Sequence, residues 1–137
     1  MINSTRLELC KIIGKPWVSM ACGPDAFDCW GVIEYYAKLS GLNVEQFKDV
    51  DHEDSNDVCK KIHKEKSSGK WLESSMPLDG DIVLMYEGDR CCHVGLYIDK
   101  HFLHSIRARD GFRGGVCLHS RATINKLFNK LEFYRIA

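Results

Sequence analysis

The chain lacks any long apolar run: nothing in its 137 residues approaches the ~20 consecutive apolar side chains that a membrane helix needs. Its opening, Met1 to Gly14, lacks the basic start and continuous apolar core of a secretory leader, so export by the usual route is not expected. Net charge is missing as well. Its 19 basic and 19 acidic side chains cancel, which removes the broad positive footprint of a nucleic-acid binder. No internal repeat, low-complexity tract or linker breaks the pattern. What remains is ordinary for a folded protein, with 45% apolar and 28% charged residues, and the length suits one domain over residues 1–137.

Cysteine is the exception, at seven residues. An odd count without a leader predicts reduced thiols rather than a disulfide framework, most of them acting as small buried hydrophobes.

Thr5-Arg6-Leu7-Glu8 reads as a capping box, with Leu9, Ile12 and Ile13 at helical spacing and Gly14 as a stop. Gly23-Pro24 marks a loop, and Asp28 stands where it can N-cap the run Cys29 to Ser40. That run carries Trp30, Val32, Ile33, Tyr36, Ala37 and Leu39 and stops at Gly41, which predicts a buried central helix. Asn43 to Pro77 is polar and reads as an insertion covering one side, with a short helix that sets Val58 and Ile62 four apart. Strand patterns follow at Asp81 to Tyr86, His93 to Ile98, Phe102 to Ile106 and Val116 to His119, then a short helix and Leu131 to Ile136. Sequential strands with short turns favour an antiparallel sheet, and helices gathered at the front favour the α+β class.

A thiol is a strong nucleophile only as thiolate, and a helix N-terminus favours that anion, so Cys29 is the candidate nucleophile. It needs a base from elsewhere. His93 opens a strand whose Val94, Leu96 and Ile98 form one face, leaving the imidazole on the other with Gly95 and Tyr97. The expectation is that the Cys29 helix packs across this second face, with Gly95 permitting close approach. His104, on the next strand, is placed to hold His93 in one tautomer. His52, His63, His101 and His119 read as surface residues.

The segments Gly14-Lys15-Pro16-Trp17, Gly23 to Gly31, Gly80-Asp81-Ile82-Val83, His93 to Tyr97 and Phe102 to Ser105 together resemble the NlpC-type cell-wall cysteine peptidases, over nearly the whole chain. The resemblance implies a papain-like α+β fold, with the nucleophile helix packed on a central antiparallel sheet. It also implies hydrolysis of amide bonds in peptidoglycan stem peptides, typically beside a γ-linked D-glutamate. In that scheme Cys29 attacks, His93 exchanges protons, His104 orients His93, and no cofactor is needed. The stretch around Pro16-Trp17 and Asp25 to Gly31 is most similar to members encoded by tailed phages. That likeness implies tail-tip proteins as further partners and delivery by the virion of a protein made in the cytoplasm.

Candidate substrate contacts are Trp17, in an irregular segment near the presumed site, Asp28, for which helix capping is the favoured reading, and Tyr97, which shares the His93 face. The backbone N–H of Cys29 is expected to hold the oxyanion, with Trp17, Ser19 or another backbone group as the second donor.

Cys91 and Cys92, directly before His93, depart from the family pattern. They either pack at a strand edge, which is the expectation, or pair with Cys29 under oxidation. A tetrahedral metal site of Cys91, Cys92, His93 and His104 is disfavoured, because adjacent strand residues point to opposite faces. The reading from a different class is a catalytically silent wall-binding or tail-assembly module on the same fold.

Overall fold

Helix α2 (Cys29–Ser40) forms within the predicted bounds and for the predicted reasons. One Asp28 carboxylate oxygen accepts the Gly31 N–H at 2.6 Å, satisfying a donor that the first helical turn leaves unpaired. At the other end Gly41 adopts φ 71°, the left-handed conformation that glycine enters without steric cost. These contacts belong to a computed structural model that describes residues 1–46, 50, 55–109 and 111–136.

Helix α1 (Asn3–Lys11) corrects the reading of its own start. It begins before the supposed capping box, with Ile2 at the N-cap position and no side-chain cap. Thr5 is buried inside the helix, because sinking Leu9 and Ile12 into the core fixes which face turns inward. Helix α3 (Ser55–Lys66) and strand β1 (Trp71–Ser74) follow, and both lie within the stretch read as a covering insertion. That reading was too shallow. Val58, Ile62 and Trp71 all enter the main core, and the Trp71 ring stacks on Trp30 with centroids 5.8 Å apart.

Strands β2 (Ile82–Glu87), β3 (Arg90–Ile98), β4 (His101–Ile106) and β5 (Gly115–His119) then run in sequence. Helix α4 (Arg121–Leu127) and strand β6 (Lys130–Ile136) complete the chain. The sheet order is β1-β6-β2-β3-β4-β5 with antiparallel neighbours, so the fold is α+β with helices on both sides of one sheet. Period-2 alternation gives the sheet two different faces. Ile82, Leu84, Val94, Leu96 and Leu103 pack with Leu9, Trp30, Ile33 and Ile62. Val83, Met85, Phe102 and Phe133 pack instead with Ile124 and Phe128 from the α4 side.

Two irregularities position the functional side chains. β3 and β4 pair only at Leu96↔Leu103, Tyr97↔Phe102 and Ile98↔His101, next to a turn in which Asp99 and Lys100 both have positive φ, as a two-residue hairpin loop of the primed kind requires. Beyond Leu96 and Leu103 no further β3–β4 pair forms among the described residues, and the strands part. The chain before α2 is also tied down. Gly14 N–H donates to Val116 O and Val116 N–H to Lys15 O, each at 2.8 Å, while Ser105 Oγ–H donates to Phe27 O at 2.7 Å. These bonds fix the start of α2 against β4 and β5.

Candidate active site

Where β3 and β4 separate, a backbone donor loses its strand partner. Tyr97 N–H donates to Asp81 O at 2.9 Å on the β2 side, so the alternating N–H of Val94 faces β4. β4 has turned away at that level, and the Val94 N–H is left to favour the Cys29 anion. This places the thiol against the residue next to His93. Cys29 and His93 line one cleft of about 280 Å³ together with Trp17, Val58, Cys92 and Phe128.

The geometry reaches this meeting by a route the sequence reading did not anticipate. α2 packs on the Val94, Leu96 and Leu103 face, opposite the face that carries His93, and the thiol enters through the split in the sheet. Gly95 accordingly makes room for something else. A Cβ at Gly95 would lie 2.7 Å from Met85 Cε, 3.0 Å from His104 Cβ and 3.0 Å from Leu103 O. Its bare backbone admits His104, not α2.

His93 is held tightly. Its ring stacks on Phe128 at 5.4 Å with planes 5° apart, and its Nε2 lies 2.8 Å from His104 Nδ1. Nδ1 is thus the nitrogen left for the thiol. His104 is fully buried, and its Nε2 lies 2.9 Å from His119 Nδ1. His119, read from sequence as a surface residue, therefore ends a row of three imidazoles. The available signal was strand alternation: β5 sets Cys117 opposite His104, which puts His119 on the same face two residues on.

Burial shifts both members of the pair toward their neutral forms. Burial pushes the Cys29 thiol up to about 12, and the Asp28 charge adds to the rise, while backbone hydrogen bonds from Val94 and Trp30 work against it. Burial lowers His93 to about 3, with Arg109 assisting. Burial works against the thiolate expected at the helix start, and the amide donors work for it. His104 is also pushed down, by burial first and then by its imidazole neighbours.

The other candidates separate clearly. Trp17 lines the cleft, with the Arg107 guanidinium 4.7 Å from its ring centroid. Asp28 is buried and committed to backbone, one oxygen to Gly31 N–H and the other to Met20 N–H at 2.8 Å, so its placement is that of a cap. The structure does not bring Tyr97 to the cleft. Its ring packs edge-on against Phe102 at 5.5 Å and Phe133 at 5.7 Å.

A bulge between Met85 and Tyr86 sends Cys91 into the α2-side core and leaves Cys92 half-buried. Only Cys92 of that pair shares the cleft with Cys29. Among the described residues no group of three or more His, Cys, Asp or Glu side chains is placed to hold a metal ion. His63 and His101 are exposed, and His52 lies outside the described residues. No described helix is long and apolar enough to cross a membrane.

A sequence model of the NlpC/P60 family matches residues 14–127, a span that takes in Trp17, Cys29 and all three imidazoles of the row. Ten solved chains match. One is NlpC2 from Trichomonas vaginalis, 19% identical over 86% of this chain and 44% of that one, with a TM-score of 0.49. The present chain thus spans less than half the length of that protein. No curated protein matches.

Proposed function

The chain belongs to the NlpC/P60 family, whose members are in general cysteine peptidases of cell-wall peptides, and from that premise we propose that it hydrolyses amide bonds in peptidoglycan stem peptides beside γ-linked D-glutamate. One observation carries the reading: Cys29 and His93 share a cleft while His104 occupies the far nitrogen of His93. A nucleophile, a base and an orienting group in that order form a working acyl-transfer unit.

In the proposed reaction the Cys29 proton passes to His93 Nδ1 as the sulfur attacks the amide carbonyl. Burial disfavours the charged forms of both groups, which favours transfer that accompanies attack. The tetrahedral oxyanion forms at the start of α2, where the Cys29 backbone N–H and the helix dipole stabilise it. Collapse breaks the C–N bond, the amine leaves with the proton from His93, and a thioester remains on Cys29. Water, deprotonated by His93, then releases the acid and restores the thiol.

Charge in the cleft suits such a substrate. Among the described residues Arg90, Arg107 and Arg109 line it with one carboxylate, Glu87, and Arg109 pairs with Glu87 at 3.7 Å. A γ-linked D-glutamate keeps its α-carboxylate free, and a guanidinium is a good partner for it. Trp17 offers an adjacent ring for the peptide.

Digestion of purified peptidoglycan with the wild type and with Cys29→Ala, followed by mass analysis of the released fragments, tests the proposal. Peptide ends at γ-D-glutamyl bonds are expected from the wild type alone. Absence of fragments from every wall type tried would reject the hydrolase. The silent-module reading draws on the raised Cys29 thiol, and it requires both proteins to sediment with intact wall without releasing peptide. The tail-associated setting rests on the likeness of the residues around Pro16-Trp17 and Asp25 to Gly31. Detection of the chain by antibody in density-purified virions checks it.

A further inference from the structure

His104 cannot fix the tautomer of His93 unless something fixes its own. Its Nδ1 meets His93 Nε2 at 2.8 Å and its Nε2 meets His119 Nδ1 at 2.9 Å, and each of these contacts holds one shared proton. Three neutral imidazoles can satisfy both contacts in only two ways. In one, every ring carries its proton on Nε2, each donates toward His119, and His93 Nδ1 is a free base. In the other, every ring carries its proton on Nδ1, each donates toward His93, and His93 Nδ1 can take nothing from the thiol.

We propose that His119 is a positioning residue that selects between these two states, holding His93 in its basic tautomer while His119 is neutral and withdrawing it when His119 is protonated. The inference rests on His93 serving as the base for Cys29. An imidazolium has a proton on each nitrogen, so a charged His119 must donate from Nδ1, which forces His104 and then His93 into the second arrangement. The charge settles on His119 because it is the least buried ring of the row, and desolvation penalises it most in the other two.

The groups around His119 agree with this role. His104 faces it from β4 and Cys117 shares its side of β5. The Phe112 ring lies edge-on at 5.4 Å. Arg121, at the start of α4, sits 5.4 Å over Phe102, the strand partner of His119, and Arg109 lowers both His93 and His104. Arg109 thus disfavours a positive charge on the two inner rings. Burial lowers His119 itself, so the acid limb should fall below the ordinary histidine value of about 6.5.

Nitrogen-15 NMR of the full chain reads the tautomers directly and needs no substrate. At neutral pH His93 and His104 are expected to carry their protons on Nε2, and both should switch to Nδ1 as His119 titrates. His119→Asn, whose amide oxygen can accept from His104 without titrating, should abolish the switch. In peptide release, His119→Ala should lower kcat roughly three- to tenfold, the worth of one hydrogen bond, with KM unchanged. His119→Asn should restore most of kcat and remove the acid limb. The proposal is overturned if His104 carries its proton on Nδ1 at neutral pH, or if neither tautomer moves as His119 titrates. Wild-type kcat and acid limb in both variants would overturn it equally. A tautomer switch without peptide release would instead reject the peptidase reading and leave the relay standing.

Discussion

The two faces of the sheet do different work, the larger apolar cluster lying toward α2 and the smaller toward α4. Toward α2 the strands present Ile82, Leu84, Val94 and Leu96 to Trp30 and Ile33, a dense layer whose contribution is burial, about 1.5–3 kcal/mol per large side chain. Toward α4 the layer around Phe102, Phe128 and Phe133 encloses a polar row, His93-His104-His119, which has to be desolvated and fully hydrogen-bonded at once. The first face carries Cys29 and the second carries its proposed base. They meet in one cleft near the gap between β3 and β4, so the site depends on a local failure of strand pairing. A perfectly laddered sheet would satisfy Val94 with β4 and close the path.

If this division is right, damage on each side should have a different signature. Cys29→Ala should abolish peptide release, a loss of at least about a thousandfold, while leaving the melting temperature close to wild type. His93→Ala should approach the same loss, since attack then lacks its proton acceptor. Gly95→Ala should act through His104: the added methyl, 3.0 Å from His104 Cβ, displaces that ring and lowers kcat about tenfold. Loss of activity from unfolding alone would show as a parallel fall in circular-dichroism signal. Ile33→Ala, on the packing face, should cost about 2–5 kcal/mol of stability in denaturant titration with kcat per folded molecule little changed. An equal effect on kcat would erase the distinction between the faces.

The imidazole face should also mark the pH dependence of stability. The folded-state pKa of His93 is depressed to about 3, so between there and the ordinary value of about 6.5 the unfolded chain binds more protons. Stability should therefore decline as pH falls through this window, measured by thermal melts, and the slope should shrink in His93→Gln. A melting temperature that is flat across the window would mean that the row is not buried in its neutral form. The smallest effect should come from Cys92→Ser, which alters the cleft wall without touching the row and should leave kcat within about twofold.

Helix α2 was legible in the sequence because both of its ends are written in side chains, Asp28 and Gly41. The strands β2 to β6 were legible from alternation and turn residues. β1 was not, because a four-residue edge strand inside a polar stretch carries no period of its own and forms only once β6 is there to pair with it. The start of α1 misled for a related reason: a capping motif is a local preference, and burial of Leu9 and Ile12 overrode it.

At the site, sequence order singled out Cys29, His93 and His104 as candidates, and the structure brings them together, but the side from which the thiol arrives was not readable. That depends on where the ladder between β3 and β4 stops, which no short motif encodes. Asp28 was readable as a cap, and the structure shows that cap together with a bond that ties down the loop at Met20. Tyr97 shared a face with His93 as alternation required, yet four residues along a strand is about 13 Å, enough to put it under Phe102 and Phe133 rather than in the cleft.

Acid-quench mass spectrometry bears most directly on the claim that Cys29 reacts through the gap in the sheet. The wild type mixed with peptidoglycan stem peptides and stopped within one turnover should carry an acyl group on the tryptic peptide that contains Cys29, and the adduct should vanish in His93→Ala. Undiminished peptide release by Cys29→Ala, with no adduct on Cys29 in the wild type, would contradict it.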